Sequence, residues 1–197
     1  MAYSDFSWIS DRLAVGGWVA ESYDDLPFDA ILSLETKSPL ILRELVHSGR
    51  HEYRWHSIID GETDEHNDEI VRRFTKAAEQ IHQWIESDKL VLVHCFAGVS
   101  RSATAVIWYL VRHRDMTWDA AAALLRKKRP LINPNVRFEV PLRLALGEKL
   151  SEEWIARRIG EYAAKMQSDF HEEVRPEDVW TGLERQGTFR RMRAASG

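Results

Sequence analysis

The residues best equipped for chemistry lie in one stretch, His94-Cys95-Phe96-Ala97-Gly98-Val99-Ser100-Arg101-Ser102. A cysteine thiolate is a competent nucleophile at neutral pH. Arg101 carries a planar fork of N–H donors that can grip two oxygens of a tetrahedral anion and stay with them in a transition state. Gly98 lets the backbone turn without a Cβ in the way. Ser102 is placed to donate a hydrogen bond to the Cys95 sulfur, and His94 to order the loop from behind by bonding backbone carbonyls. Phe96, Ala97, Gly98, Val99 and Ser100 supply the backbone that would line a bound anion.

Two elements must position these groups. Leu90–Val93 is a short apolar run that reads as a buried strand. Ala103, Val106, Ile107, Leu110 and Val111 recur at helical spacing. The polar stretch therefore joins a strand to a helix N-terminus, where unpaired amides and the helix dipole favour an anion, most often phosphate. The same dipoles and Arg101 favour the thiolate of Cys95, and such positions lower a cysteine pKa to roughly 3.5–7.5. An exposed thiolate of that kind would be readily oxidised by peroxide.

The pattern His-Cys-x-x-Gly-x-x-Arg-Ser resembles the signature of the cysteine-dependent protein phosphatases, and HCFAGVSRSA resembles their dual-specificity branch. Flanking segments are similar to the same domain. Leu13–Gly17 is similar to its glycine-marked first strands, Trp55–Asp60 to the strand before its general-acid loop, and Asn133-Pro134-Asn135 to a late Pro-Asn element. The likeness runs from about Ile9 to Leu146. It implies an α/β fold with a central, mostly parallel sheet flanked by helices. It also implies a metal-independent reaction through a cysteinyl-phosphate, with no cofactor. Asp60 is the implied general acid, because it directly follows its strand. Asp60 stands a few residues further from Cys95 than is usual in the family, and Asp64, which restores the spacing, is the alternative. Phosphoinositide enzymes of the superfamily often carry Lys within the loop. Phe96, Ala97, Val99 and Ser100 are uncharged, which favours a phosphoprotein carrying phosphotyrosine, phosphoserine or phosphothreonine. A nucleotide, inositol phosphate or phosphoinositide substrate, and a phosphate-binding module with little turnover, remain as alternatives.

Other readings of the same residues explain less. With one cysteine there is no Cys pair to ligate zinc, and no metal is expected. A rhodanese-like loop would also hold Cys and Arg over an anion, but leaves the His, Gly and Ser offsets without a role. One cysteine excludes an intrachain disulfide, and a reactive thiol needs a reducing compartment, so a cytoplasmic location is expected. The net charge of -4 gives no reason to expect nucleic acid or an acidic membrane surface as partner. No stretch is long and apolar enough to span a membrane, and the N-terminus shows no secretory signal. Oligomeric state is not readable. The eight tryptophans are expected to be core anchors of amphipathic helices.

Along the chain, Ser7–Ile9, Leu13–Val15, Phe28–Leu34 and Glu52–Ile59 read as strands. A helical turn is expected over Trp18–Tyr23 and a short helix over Pro39–His47. Asp60–Asp68 has no apolar residue and reads as an acid-bearing loop, with Asn67 or Asp68 capping the helix marked by Ile70, Phe74, Ala77, Ala78, Ile81, Trp84 and Ile85. Thr117 caps the next helix, which ends in the basic run Arg126–Arg129, read as complementing the helix C-terminus. Arg137–Lys149 reads as the last helix of a catalytic domain spanning residues 1–150. Residues 151–197 form a helical extension that starts at the cap Ser151 and whose role the sequence does not reveal.

Overall fold

The computed structural model describes residues 5–17, 26–36, 49–60 and 66–194. The expected turn over Trp18–Tyr23 and helix over Pro39–His47 lie outside the described residues, as does Asp64.

Five strands form one sheet: β1 (Phe6–Ser10), β2 (Leu13–Gly16), β3 (Ala30–Ser33), β4 (Glu52–Trp55) and β5 (Val91–His94). Their order is β1-β2-β5-β3-β4. Only β1 and β2 are antiparallel; β2–β5, β5–β3 and β3–β4 are parallel. The apolar runs of β2, β3 and β5 are buried along their whole length, as strands covered on both faces must be. The register sets His94 beside both Gly16 and Ser33. The central strands therefore end together, and whatever follows each of them emerges along one edge. This is the edge where open α/β sheets bind ligands.

Two strands are shorter than their patterns predict. β3 begins at Ala30, and β4 stops at Trp55 although alternation continues to Ile59. The partner strand explains the second stop: β3 ends at Ser33, whose carbonyl takes a last hydrogen bond from His56 N at 2.9 Å. Beyond that there is no ladder to join, and the Ser57 hydroxyl bonds Thr36 O instead (3.0 Å).

The helices are α1 (Asn67–Glu86), α2 (Arg101–His113), α3 (Trp118–Lys128), α4 (Val136–Ala145), α5 (Glu152–Phe170), α6 (Pro176–Arg185) and α7 (Thr188–Ala194). Thr117 and Ser151 are the expected caps, accepting from Ala120 N at 3.2 Å and Trp154 N at 3.1 Å. Asn135 caps α4 by accepting from Arg137 N, so the helix starts at Val136, one residue earlier than expected. This helix ends at Ala145 rather than Lys149, because Gly147 (φ +80°) takes the left-handed conformation that closes helices. Trp84, Trp108 and Trp118 are core anchors as expected, whereas Trp8 and Trp55 are exposed.

The chain divides into two compact units. The first contains residues 1–60 and 74–132, the second 61–73 and 133–197. The extension beyond residue 150 is helical and packs with α4. Val136 and Val140 share a core with Ile155, Ile159, Tyr162, Val179, Leu183 and Phe189. Beneath this core Glu139 is clamped between Arg143 (3.0 Å) and Arg158 (2.8 Å), all three buried.

Candidate active site

Cys95 follows β5 directly, and its backbone N–H donates to Gly16 O at the end of β2 (3.3 Å). Its Sγ lies 3.3 Å from Ser102 Oγ, which in turn lies 3.3 Å from Gly16 O. A hydroxyl has one proton. With a neutral thiol, S–H donates to Ser102 and Ser102 donates to Gly16. With a thiolate, Ser102 turns its proton to the sulfur. Gly16 O keeps the Cys95 amide in both states, so the exchange strands no buried acceptor. The thiol was expected to be exposed; the residue is 1% exposed, because the end of β2 and the start of α2 cover it.

The loop after Cys95 is shaped by its middle. Gly98 has φ +66°, and a Cβ there would lie 2.5 Å from Gly16 C and Gly17 N, so glycine is required on two counts. Val99 and Ser100 are buried, Ala97 is exposed, and Phe96 projects with 68% exposure. Ser100 occupies the cap position of α2 but makes no side-chain cap; its hydroxyl donates to Asp60 Oδ1 (3.2 Å).

Arg101 opens α2 and is 7% exposed. Its Nη1 donates to Leu34 O (3.2 Å), Thr36 Oγ1 (3.3 Å), Ile58 O (3.4 Å) and Glu35 Oε2 (3.5 Å). Nε stands 3.4 Å from Asp60 Oδ2, an ion pair by distance that lacks hydrogen-bond alignment. Among the described residues, then, one corner of the guanidinium is saturated while the buried Nε–H is left to donate. An unmatched buried donor on a cation is costly unless an acceptor, such as an oxyanion, is bound there.

Glu35 holds Arg101 from the side. Burial raises its pKa above the ordinary carboxylate value; the charge and hydrogen bond of Arg101 oppose the rise, and the charge of Asp60 adds to it. Trp55 fixes the Glu35 backbone by donating Nε1–H to its carbonyl (2.7 Å). His94 is fully buried, and burial pushes its pKa down to about 4; a hydrogen bond with the Cys95 backbone opposes the shift and the Arg101 charge reinforces it. The ring is thus neutral near pH 7.

Arg129 does more than complement the helix C-terminus, the role expected for its basic run. It is 3% exposed, and its Nε donates to Gly98 O (2.9 Å) while Nη2 reaches Ala97 O (3.4 Å). The opposite edge pairs bidentately with Asp5, at 2.8 and 2.7 Å. By holding two loop carbonyls on one side, Arg129 fixes the orientation of the peptide planes that carry the loop amides.

The structure thus brings together Cys95, Ser102, Arg101, Ser100, Gly98 and Asp60. The sequence reading missed Glu35, Thr36, Arg129 and Asp5. A signal for Glu35 was available: it sits just past the end of β3, where the topology gathers side chains. Arg129 and Asp5 had none, since 124 residues separate the two partners. Among the described residues no group of three or more His, Cys, Asp or Glu side chains is arranged to hold a metal ion.

Comparison with known proteins agrees with this geometry. Dual specificity protein phosphatase Mpk3 of Drosophila melanogaster is 35% identical over 101 residues, covering 48% of this chain and 25% of that protein. Tyrosine-protein phosphatase yvh1 of Schizosaccharomyces pombe is 30% identical over 173 residues, covering 81% of this chain and 49% of that protein. The chain therefore spans between a quarter and a half of these relatives' length. The crystal structure of the human tyrosine phosphatase-like serine/threonine/tyrosine-interacting protein superposes with a TM-score of 0.60 at 24% identity, over 73% of this chain and 97% of that one, which shows the shared fold. The family model for the dual specificity phosphatase catalytic domain matches residues 17–145, more than half of the chain. On the match of that domain, and with Cys95, Arg101 and Ser102 standing together at the end of the central strand, the chain belongs to the dual-specificity phosphatase family.

Proposed function

We propose that the protein hydrolyses phosphate monoesters through a cysteinyl-phosphate, with phosphotyrosine, phosphoserine or phosphothreonine in proteins as substrate. Cys95 Sγ attacks phosphorus in line, forming the S–P bond as the bond to the leaving oxygen breaks. Arg101 and the loop amides of Phe96–Arg101 hold the three non-bridging oxygens. Asp60 protonates the leaving oxygen, and then, as a carboxylate, takes the proton from the water that cleaves the S–P bond. Ser102 donates to the departing sulfur, which the 3.3 Å contact supports. Asp64 is the alternative acid.

The observation that carries this reading is the buried Arg101. Its Nη1 donates to Leu34 O and Ile58 O beyond β3 and β4, among the described residues its Nε–H makes no aligned hydrogen bond, and the next residue, Ser102, pairs with the buried Cys95 thiol. We assign catalysis to residues 1–150 and a supporting role to 151–197. A mechanism needing a free thiol fits a reducing, cytoplasmic setting. Among the described residues no helix is long and apolar enough to cross a membrane.

The test is phosphate release by the purified protein from phosphotyrosine, phosphoserine and phosphothreonine peptides, nucleotides and inositol phosphates, each compared with Cys95→Ser. Turnover on phosphopeptides that vanishes in Cys95→Ser supports the proposal. Turnover confined to a non-protein substrate would reassign the substrate, and turnover surviving in Cys95→Ser would remove the mechanism.

A further inference from the structure

Arg101 sits between two carboxylates. Glu35 Oε2 lies 3.5 Å from its Nη1, and Asp60 Oδ2 lies 3.4 Å from its Nε. All three residues belong to the first unit, and their side chains are shielded from water: Arg101 is 9%, Glu35 11% and Asp60 24% exposed. With both carboxylates ionised, one cation faces two anions before any substrate arrives. A phosphate dianion bound at the Nε–H of Arg101 adds further negative charge to the same cluster. Like charges held this close raise the proton affinity of a carboxylate.

The two carboxylates differ in how their ionised forms are supported. Asp60 Oδ1 accepts from the Ser100 hydroxyl (3.2 Å). Glu35 Oε2 has Arg101, but Glu35 Oε1 is buried and, among the described residues, has no hydrogen-bond donor. A charged oxygen buried without a donor costs more than a neutral hydroxyl in the same place. Burial, the largest influence on Glu35, accordingly raises its pKa; Arg101 opposes the rise and Asp60 adds to it. The charged groups facing Glu35 are thus Arg101 from α2 and Asp60 from the segment after β4, while Trp55 at the end of β4 meets its carbonyl with an uncharged donor. Two imidazoles stand at the flanking strand ends, His94 on β5 and His56 after β4. Burial pushes the pKa of each down to about 4, so both are neutral above that pH.

We infer that Glu35 takes up a proton when a phosphate dianion binds beside Arg101, so that the site's affinity for the anion falls as the pH rises. This rests on the proposed function, in which Arg101 binds phosphate. The proton comes from solvent, adds to Glu35 Oε1 and returns to solvent when phosphate leaves. Glu35 touches no substrate; it is a positioning residue that acts through Arg101, and its neutral form leaves more of the guanidinium charge to the anion. The sign follows from linkage. The anion holds the proton on Glu35 to a higher pH than the free site does, so between the two pKa values binding takes up a proton and weakens with rising pH. Below the pKa of the free site Glu35 is already neutral, and the affinity is level.

The experiment measures sulfate binding to the Cys95→Ser protein by calorimetry between about pH 5 and about pH 8. Sulfate stays a dianion over this range, and Cys95→Ser removes the thiol as a titrating group. The dissociation constant is expected to rise about tenfold across the range, the equivalent of one pKa unit. Repeating the titration in two buffers of different ionisation enthalpy counts the protons, and an uptake approaching about one proton is expected. Glu35→Gln in the Cys95→Ser background has a side chain that cannot ionise. It should bind sulfate with the low-pH affinity throughout and take up no proton. Sulfate binding without proton uptake in Cys95→Ser overturns the inference and leaves the anion site standing, whatever the second variant does. Glu35→Gln that weakens binding equally at every pH shows a clamp on Arg101 only, which also overturns it. Uptake that survives Glu35→Gln and disappears in Asp60→Asn assigns the proton to Asp60, with the same consequence. If Cys95→Ser binds no sulfate at any pH, the anion site of the proposed function falls and the role of Glu35 falls with it.

Discussion

At the level of single residues, the site separates groups that react from groups that hold them. Cys95→Ser is expected to abolish turnover yet still bind vanadate, because Arg101 and the loop backbone remain; vanadate titration of the inactive variant checks this, and a chelator should leave the wild type unaffected. Arg129 touches no reacting atom, but it holds the carbonyls of Ala97 and Gly98. Arg129→Met should lower kcat about 10- to 100-fold, the scale on which small misplacements of a binding group act. Asp5→Asn, which leaves Arg129 in place, should cost less. A kcat for Arg129→Met within twofold of wild type would remove its positioning role. His94 gives a pH dependence. Its pKa falls from 6.5 when unfolded to about 4 in the fold, so between these values the unfolded chain binds the extra proton. Stability is complete above about pH 6.5 and falls as the pH drops to about 4, by on the order of 3 kcal/mol from this ring alone. Urea unfolding across that range measures the loss, and NMR titration should show a ring that stays neutral well below pH 6; a ring titrating near 6.5 would contradict the assignment.

At the level of elements, the loop is held because three strands end in register. Gly16 O receives Cys95 and Ser102, Leu34 O receives Arg101, and Ile58 O, past the end of β4, receives Arg101 as well. In the second unit α4 and α5 meet through Glu139, whose carboxylate pairs with two guanidinium groups, one from each helix. Glu139→Ala removes the carboxylate that pairs with buried Arg158 and one of the carboxylates that pair with Arg143. The expected loss is about 3–5 kcal/mol, the usual cost of breaking a buried pair from one side. Glu139→Gln, which keeps an acceptor, should lose less. The midpoints of urea unfolding rank the two, and a Glu139→Ala midpoint equal to wild type would show that the cluster is not stabilising.

At the level of the whole molecule, α4 lies inside the family match yet shares its core with the extension. Ending the chain after Lys149 removes Ile155, Ile159, Tyr162, Val179, Leu183 and Phe189 from around Val136 and Val140. Each large apolar side chain so lost gives up about 1.5–3 kcal/mol of burial. The truncated chain is therefore expected to aggregate or to melt well below the full chain, which light scattering and thermal unfolding would show. A truncated protein with unchanged melting temperature would mean that the extension is dispensable for folding.

The sequence by itself determined the strand–loop–helix around Cys95, because every contribution to it is local: an apolar strand, a glycine where φ must be positive, and an arginine at the start of a helix. It also determined the caps Thr117 and Ser151, each of which bonds an amide three residues on. What it did not determine depends on partners distant in the chain. β4 stops at Trp55 because β3 has already ended, which no pattern within β4 records. Glu35 reaches Arg101 across 66 residues and Arg129 reaches Asp5 across 124, pairings that follow from strand order rather than from any spacing. Asn67 is one of the two caps the sequence offers, but the helix begins at Asn67 itself, which puts His66 in the cap position and leaves the Asn67 side chain to bond the buried Thr188 hydroxyl, 121 residues away in the chain.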